Sequence, residues 1–303
     1  MRSYLPDFTA ERAGSLPAAL HRLAEDPHPQ LGPWQPLAGG TDLMVLLAAG
    51  KLPPGRYLDL WGLAELRGIE VTADYVDLGA LTTYSQVREH PLLAAEFPLL
   101  AQAAAESGAL AIQNRGTLGG NIANASPAAD SPPALLAYGA ELELVAAHGS
   151  RFLPYADFHT GYKKTLLQPG ELIRRVRLPR LPPPGPEALP AVHFYRKVGT
   201  RRAQAISKVC LAALVLGDEQ GLRVCRLALG SIAPLPLRCL RTEAELLGPG
   251  ALTPARVAAA QAVLAEEIKP IDDIRSSAHY RRRVAQNLLA QLIGVCNLSL
   301  RSR

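Results

Sequence analysis

The chain has 303 residues, 48% of them hydrophobic, and a formal net charge of +5. This length allows two or three domains, and the apolar fraction is ample for buried cores, so we expect a globular protein. The first residues lack the apolar run of a secretory signal, and no later segment reaches the roughly 18 uncharged apolar residues of a membrane-spanning helix, which predicts a soluble, cytoplasmic protein.

The excess of basic residues does not favour nucleic-acid binding. Lys and Arg are spread among acidic residues, and only 5% of residues are aromatic, so few side chains could stack on bases. The one dense basic run, Arg281–Arg283, lies in a helical pattern that has apolar residues on one face. We interpret this run as a solvated or subunit-contacting helix face, with nucleic-acid binding as the less favoured alternative.

The four cysteines, Cys210, Cys225, Cys239 and Cys296, are too far apart in sequence for the close pairs of zinc ribbons or iron–sulfur ligation. We expect reduced, packed thiols. Any redox centre of this protein is therefore predicted to be an organic cofactor or to lie on another chain.

Helices and strands alternate in the first half of the chain, which indicates an α/β domain. Gly14–Pro17 is typical of a helix start with proline in the first turn, and this helix runs to Glu25. The predicted strands are Trp34–Ala38, Tyr57–Leu60, Gly68–Val71, Tyr75–Gly79 and Glu141–Val145. The other predicted helices are Leu43–Ala49, which we expect to be buried, one beginning at Thr82–Ser85, Leu92–Ala105 and Pro133–Tyr138.

A proline-rich segment, Leu181–Pro186, is the clearest break in composition and suits a linker or surface loop. We place a domain boundary there, with one domain in residues 1–180 and a second in residues 190–303. Three predicted strands and two predicted helices follow: Ala191–Lys197, Cys210–Leu216, Arg223–Gly230, Pro254–Glu267 and Ala278–Gly294. Strands followed by helices indicate an α+β domain.

A glycine-rich loop, Ala38–Asp42, directly follows a predicted strand. Glycine lets the backbone approach a ligand closely, so this loop can direct amides at a pyrophosphate, with Thr41 adding a hydroxyl donor. Taken alone, the loop is better explained as a tight turn without a ligand. The G-x-G-x-x-G spacing of a Rossmann fold is absent.

A second glycine-rich segment, Gly116–Asp130, concentrates glycines, hydroxyls and side-chain amides and ends in an acid suited to ribose hydroxyls. Two such loops in one α/β domain indicate an extended dinucleotide held at two points. Two irregular turns remain the alternative.

Several motifs occur in a specific order along nearly the whole chain: Leu37–Leu43, Leu78–Thr83, Arg115–Asn121, Ser126–Asp130, Pro169–Ile173, Arg196–Lys197, Ile206–Val209, Gly230–Pro234 and Ser277–Arg281. This order closely resembles the FAD-binding subunits of molybdenum hydroxylases, the family of bacterial xanthine dehydrogenases and carbon monoxide dehydrogenases. The resemblance implies an α+β protein. It has a two-part FAD-binding domain of the PCMH type, like that of vanillyl-alcohol oxidase, and then a smaller α+β domain of three antiparallel strands packed on helices.

The resemblance also implies roles for single residues. The positions that hold the FAD diphosphate in this family match Leu37, Ala38, Gly39, Gly40, Thr41, Asp42, Leu43 and Met44, and Thr117, Leu118, Gly119, Gly120 and Asn121. The position matching Asp130 contacts the ribose and adenosine side. Ile173 and Lys197 match positions near the flavin ring, so Lys197 is the candidate for stabilising anionic reduced flavin. A solvated lysine is the alternative, and Arg115 could equally neutralise phosphate or form a surface ion pair.

The resemblance implies partners too. A large subunit carries molybdopterin, and a small subunit with two two-iron clusters passes electrons to FAD on this chain, which reduces NAD, a quinone or oxygen.

We predict no catalytic base, nucleophile or metal site in this chain, and we expect non-covalent FAD because neither glycine-rich segment contains His or Cys. The chain lacks the inserted cysteine cluster of some relatives and matches only the flavin region, so it should need separate partners. Candidate contacts are Arg281–Arg283 and the segment near Pro183. The rival hypotheses are a flavin-free scaffolding or assembly paralogue and a stand-alone flavin oxidase.

Overall fold

The computed structural model describes residues 7–181, 189–201 and 204–300. Within these ranges, two larger sheets and a two-stranded hairpin form the N-terminal half, and one further sheet forms the C-terminal half. Residues 182–186 of the predicted linker, including Pro183, lie outside the described residues.

A small parallel sheet begins the chain. Its strands, in the spatial order β1-β3-β2, are β1 (Phe8–Arg12), β2 (Trp34–Leu37) and β3 (Gly55–Asp59). Helix α1 (Leu16–Leu23) packs on this sheet through Leu16, Ala19, Leu20 and Leu23, whose helical spacing places them on one face. The Ser15 hydroxyl accepts a hydrogen bond from the Ala18 amide and so caps the helix.

Helix α2 (Leu43–Ala48) forms where a helix was predicted, but the prediction that it is buried is wrong. None of its residues is buried, and Met44 and Val45 are 50% and 63% exposed. The reason is its position. It follows the first glycine-rich loop at the rim of a large cleft, which Leu43 and Val45 line.

An antiparallel sheet of five strands forms the second part of the N-terminal half. In the spatial order β4-β5-β10-β6-β7, its strands are β4 (Ile69–Val71), β5 (Tyr75–Gly79), β6 (Glu141–Ala146), β7 (Gly149–Pro154) and β10 (Leu172–Pro179). Alternate residues of β6, Leu142 and Leu144, enter the main core, as the two-residue period of a strand requires. A short 3-10 helix (Ala64–Leu66), helix α9 (Tyr155–Phe158) and a hairpin of β8 (His159–Gly161) and β9 (Lys164–Thr165) complete this part.

Six helices connect β5 to β6: α3 (Tyr84–Glu89), α4 (Pro91–Glu96), α5 (Pro98–Glu106), α6 (Leu110–Gln113), α7 (Leu118–Ala123) and α8 (Ser131–Tyr138). The single helix predicted over Leu92–Ala105 is two helices, α4 and α5. They separate at Phe97, whose φ of −126° and ψ of 50° are not helical, because Pro98 has no amide proton and its ring blocks continuation of the preceding helix.

The C-terminal half is a three-stranded antiparallel sheet packed on helices, as predicted. Its strands are β11 (Ala191–Val198), β12 (Val209–Asp218) and β13 (Gly221–Gly230), extended by the short β14 (Leu237–Arg238) and β15 (Gly248–Pro249). Its helices are α10 (Leu240–Leu246), α11 (Pro254–Glu267) and α12 (Ala278–Ser299), so α12 continues past its predicted end at Gly294. One face of β12, with Leu211 and Ala213, packs with these helices, while the opposite face, with Cys210 and Ala212, joins the core of the N-terminal half.

Candidate cofactor-binding site

A cleft of about 1170 Å³ runs between the small parallel sheet, helices α6 and α7 and loops of the C-terminal half. Sites for drug-sized ligands are typically about 300–1,000 Å³, so this cleft has room for a larger molecule such as a dinucleotide. The predicted site residues that line it are Ala38, Gly39, Gly40, Thr41, Asp42, Leu43, Thr117, Gly119, Gly120, Asn121, Asp130 and Ile173. The predicted site residues Leu37, Met44, Leu118 and Lys197 do not line it.

The first glycine-rich loop presents unused backbone amides at the cleft. Within the described ranges, the amides of Gly39, Gly40, Thr41 and Asp42 donate no hydrogen bond to another protein atom. Gly40 has a φ of +75°, in the left-handed region that glycine adopts without strain. Consecutive free amides in a turn form a concave site for anions, so this loop meets the requirement for binding a diphosphate.

Gly39 lies directly against the second glycine-rich segment. A β carbon at Gly39 would be 1.8 Å from the carbonyl oxygen of Arg115. Only glycine fits such an approach, because the neighbouring atom belongs to the backbone and cannot rotate away. Backbone contact therefore fixes the two segments relative to each other.

The second glycine-rich segment contains helix α7 where a loop was expected. The Thr117 hydroxyl caps this helix by accepting a hydrogen bond from the Gly120 amide at 3.1 Å, and the Gly119 amide donates to the carbonyl of Ala80 at 2.9 Å. Both amides therefore already have an acceptor within the protein. The two glycines act sterically: a β carbon would lie 2.6 Å from that of Ala80 at Gly119, and 2.7 Å from the Thr117 hydroxyl at Gly120.

Asp130 and Lys197 form a buried ion pair in the cleft wall. Lys197 Nζ lies 2.7 Å from Asp130 Oδ2, and the side chains are 6% and 12% exposed, respectively. Lys197 also donates to the backbone carbonyl of Glu106 at 2.9 Å. The Ser207 hydroxyl donates to Asp130 Oδ1 at 2.8 Å. Because Asp130 belongs to the N-terminal half, and Lys197 and Ser207 to the C-terminal half, this part of the wall is built by both halves.

Opposing effects act on the Asp130 carboxyl. Burial raises its pKa, while the Lys197 ammonium and the hydroxyls of Ser207 and Ser107 lower it. Burial is the largest of these effects, so the pKa of Asp130 lies above its usual value. The ammonium of Lys197 is thus the main influence in the wall that favours the ionised carboxylate.

The structure brings together two residues that the sequence-based prediction assigned to different ends of FAD. Asp130 was expected at the ribose and Lys197 at the flavin ring, yet the two share an ion pair. Ile173 lines the cleft independently, from β10, and is 6% exposed. Asn121 also lines it, and its Oδ1 accepts a hydrogen bond of 2.6 Å from the Ser131 hydroxyl.

Arg115 contacts an aromatic ring among the described residues. Its guanidinium carbon lies 3.8 Å from the ring centroid of Trp61, a cation–π contact. It forms no ion pair in the described part of the chain, and it does not line the cleft.

Arg281 lines the cleft and was not predicted as a site residue. It is 4% exposed, so the interpretation of Arg281–Arg283 as a solvated or subunit-contacting face is wrong for this residue. Its guanidinium donates to the backbone carbonyls of Lys208 and Ser231 at 3.1 and 2.8 Å, and pairs with Asp273 at 2.7 Å. Arg281 therefore connects, through hydrogen bonds and an ion pair, the loops that contain Lys208, Ser231 and Asp273 on the C-terminal side of the cleft.

A sequence signal for the burial of Arg281 existed. Arg281 shares its helical face with Ala285, Leu288 and Leu292, at the spacings i+4, i+7 and i+11 that place residues on one side of a helix. An arginine on an apolar helix face indicates a buried partner for its charge.

The cysteines are packed in the interior, as predicted: Cys210, Cys225, Cys239 and Cys296 are buried and free. Burial raises the pKa of the Cys225 and Cys296 thiols to about 12. Among the described residues, no group of His, Cys, Asp and Glu side chains is arranged to hold a metal ion, and no helix is long and apolar enough to cross a membrane.

Comparison with known proteins identifies the family. Residues 6–181 match the FAD binding domain in molybdopterin dehydrogenase, and residues 194–294 match the CO dehydrogenase flavoprotein C-terminal domain. The chain is 33% identical over 289 residues to a putative xanthine dehydrogenase FAD-binding subunit of Escherichia coli, a match that covers 95% of each chain. It is 30% identical over 257 residues to the carbon monoxide dehydrogenase medium chain of Hydrogenophaga pseudoflava, over 85% of this chain and 87% of that one.

The fold agrees with solved structures. A chain of carbon monoxide dehydrogenase from Hydrogenophaga pseudoflava superposes with a TM-score of 0.89 at 28% identity, over 98% of this chain and 99% of that chain. A chain of quinoline 2-oxidoreductase from Pseudomonas putida gives a TM-score of 0.84 at 26% identity, over 97% and 98% of the two chains. These matches confirm the two-part FAD-binding domain followed by a smaller α+β domain, and the chain belongs to the FAD-binding subunits of the molybdenum hydroxylase family.

Proposed function

We propose that this FAD-binding subunit carries electrons from iron–sulfur clusters on a small partner subunit to an acceptor such as NAD, a quinone or oxygen. A large molybdopterin-containing partner would oxidise the substrate. The observation that carries the proposal is the run of free amides from Gly39 to Asp42, which faces a cleft large enough for a dinucleotide. The proposed domains are residues 1–180 for FAD and residues 190–303 for the C-terminal flavoprotein unit.

The residues of the cleft fit FAD. Four consecutive free amides and the Thr41 hydroxyl supply donors for the diphosphate, which the stretch 37–44 would hold. The stretch 117–121 would lie beside the diphosphate, since its glycines have no side chain that would block a close approach. The Asp130 carboxylate offers acceptors for ribose hydroxyls, and Ile173 offers an apolar surface.

When bound, FAD supplies the exchange between single-electron and two-electron transfer. The chain's own residues bind the cofactor, orient it and limit its contact with water. Segments from both halves line the cleft, from Gln35 in the N-terminal half to Arg281 in α12, so the wall depends on the fold of the whole described chain. Electrons would enter through a face of the chain that contacts the iron–sulfur partner.

We expect FAD to be held non-covalently. Covalent attachment in the wider fold requires a suitably placed His or Cys, and no lining residue in the described ranges is either. Acid precipitation of the purified, full-length yellow protein should therefore release the flavin into the supernatant. Flavin retained in the washed pellet would contradict this prediction.

The same preparation separates the two rival functions. A flavin-free scaffolding paralogue would be colourless and would take up no FAD from a solution in excess. A stand-alone oxidase would turn over a substrate without other subunits. Stoichiometric FAD uptake without substrate oxidation by the isolated chain is the result that our proposal requires.

A further inference from the structure

Lys197 belongs to the cleft wall without facing the cleft. We infer that Lys197 is a positioning residue, which holds the Asp130 carboxylate in place for the cofactor and does not itself contact the flavin. The inference rests on the proposed FAD site and replaces the flavin-ring role that the family resemblance implied for this lysine.

The ammonium of Lys197 is engaged by acceptors within the protein. Its Nζ is 2.7 Å from Asp130 Oδ2 and 2.9 Å from the carbonyl oxygen of Glu106. A lysine ammonium has three protons, so two of them are used by these short contacts. The side chain is only 6% exposed, and Lys197 does not line the cleft, whereas Asp130 does.

Asp130 retains capacity to accept hydrogen bonds from a ligand. An ionised carboxylate has about four acceptor positions, and Lys197 and Ser207 fill one on each oxygen. The Ser107 hydroxyl is 3.4 Å from Oδ2, but it donates over a shorter distance, 2.8 Å, to the carbonyl of Ala103. The remaining acceptor capacity suits hydroxyl donors such as those of a ribose.

The arrangement fixes the carboxylate from two sides. Lys197 reaches it from β11 and is itself anchored to the end of α5 through the Glu106 carbonyl. Ser207, just before β12, holds the other oxygen. A buried carboxylate needs such partners, because an unpaired charge is strongly disfavoured away from water. Removing Lys197 should therefore weaken FAD binding through Asp130 and not through a lost contact with the flavin.

A double-mutant cycle on the full-length chain tests this directly. FAD affinity is measured by flavin fluorescence titration for wild type, Asp130→Asn, Lys197→Met and the double variant. We expect each single change to weaken binding about 10-fold or more, since a charge-assisted hydrogen bond is lost or misplaced. We expect the double variant to bind no more weakly than Asp130→Asn, because Lys197 then has nothing to position. Losses that add in the double variant would overturn the inference. Lys164→Met, at an exposed lysine, is the matched control.

The reduction potential of bound FAD is the second measurement. A cation at the flavin ring stabilises the anionic reduced form, so its removal would lower the potential. If Lys197 is a positioning residue, the FAD-saturated Lys197→Met variant should have the same reduction potential as wild type. A lowered potential would overturn the inference.

Ser207→Ala provides a milder variant in case Lys197→Met does not fold. It removes one donor to Asp130 and leaves the ion pair intact, so we expect FAD affinity to fall about two- to tenfold with an unchanged potential. An unchanged FAD affinity in Ser207→Ala would overturn the inference that the position of the Asp130 carboxylate matters for FAD binding. A wild-type chain that binds no FAD overturns the proposed function and this inference together, whereas FAD binding with additive losses overturns the inference alone.

Discussion

Gly39 tolerates a side chain less than any other glycine of the cleft. In Gly39→Ala the new methyl carbon would meet the Arg115 carbonyl oxygen at 1.8 Å, and one of the two backbone segments must move. We expect the variant to lose about 1–3 kcal/mol of stability and at least about tenfold in FAD affinity. Thermal unfolding and flavin fluorescence titration measure the two effects.

Gly62→Ala is the control for this substitution. Its β carbon would meet nothing within 4 Å, so it should bind FAD and unfold as wild type does. Wild-type FAD affinity in Gly39→Ala would show that the close crossing of the two segments is not required for the site.

Single residues were predictable from sequence where a local motif determines their role. The loop Ala38–Asp42 needs only its own glycines and the end of a strand to expose its amides. The pairing of Asp130 with Lys197 and the burial of Arg281 depend on contacts between residues distant in sequence. The hydrogen bond of the Gly119 amide likewise reaches a different segment, because its acceptor is the carbonyl of Ala80.

Whole elements followed their sequence patterns unless a neighbour intervened. Strand β12 was predictable because it is a continuous apolar run, and helix α1 because its apolar residues recur at helical spacing. Helix α7 was not, since glycine has a low helix propensity, but a Thr117 cap and tight packing on Ala80 stabilise it. Helix α2 reads as a buried helix because an apolar run does not reveal what covers it.

Helix α12 contains a glycine whose replacement should raise the stability of the protein. Gly294 lies within this helix, and a β carbon there would meet nothing within 4 Å. We expect Gly294→Ala to stabilise the protein by about 0.5–1 kcal/mol, because alanine restricts the unfolded chain more than glycine does. Urea unfolding measures the gain, and FAD affinity should not change.

Gly139→Ala is the matched contrast for the α12 substitution. Gly139 ends helix α8 with a φ of +65°, a conformation that costs a side-chain-bearing residue roughly 1–2 kcal/mol. This variant should be less stable than wild type. Equal stability changes in the two variants would contradict the assignment of their backbone conformations.

At the scale of the whole molecule, we predict that the chain works inside a complex with iron–sulfur and molybdopterin subunits. Affinity purification from the native cell should recover all three subunits together with iron and molybdenum. The isolated chain should carry flavin and show at most weak NADH-linked dye reduction, without hydroxylating purines, aldehydes or carbon monoxide. Recovery of an active lone polypeptide without either metal would refute the prediction.

The span of the cleft along the chain has a consequence for biosynthesis. The loop at Gly39 and the wall residue Arg281 contribute to one cavity, although they lie near opposite ends of the sequence. A ribosome adds about 5–20 residues per second, so the loop at Gly39 emerges on the order of tens of seconds before the last part of the wall. Flavin capture is therefore a late event in the life of a new chain, and a prematurely terminated chain that lacks α12 has no complete cleft in which to keep the cofactor.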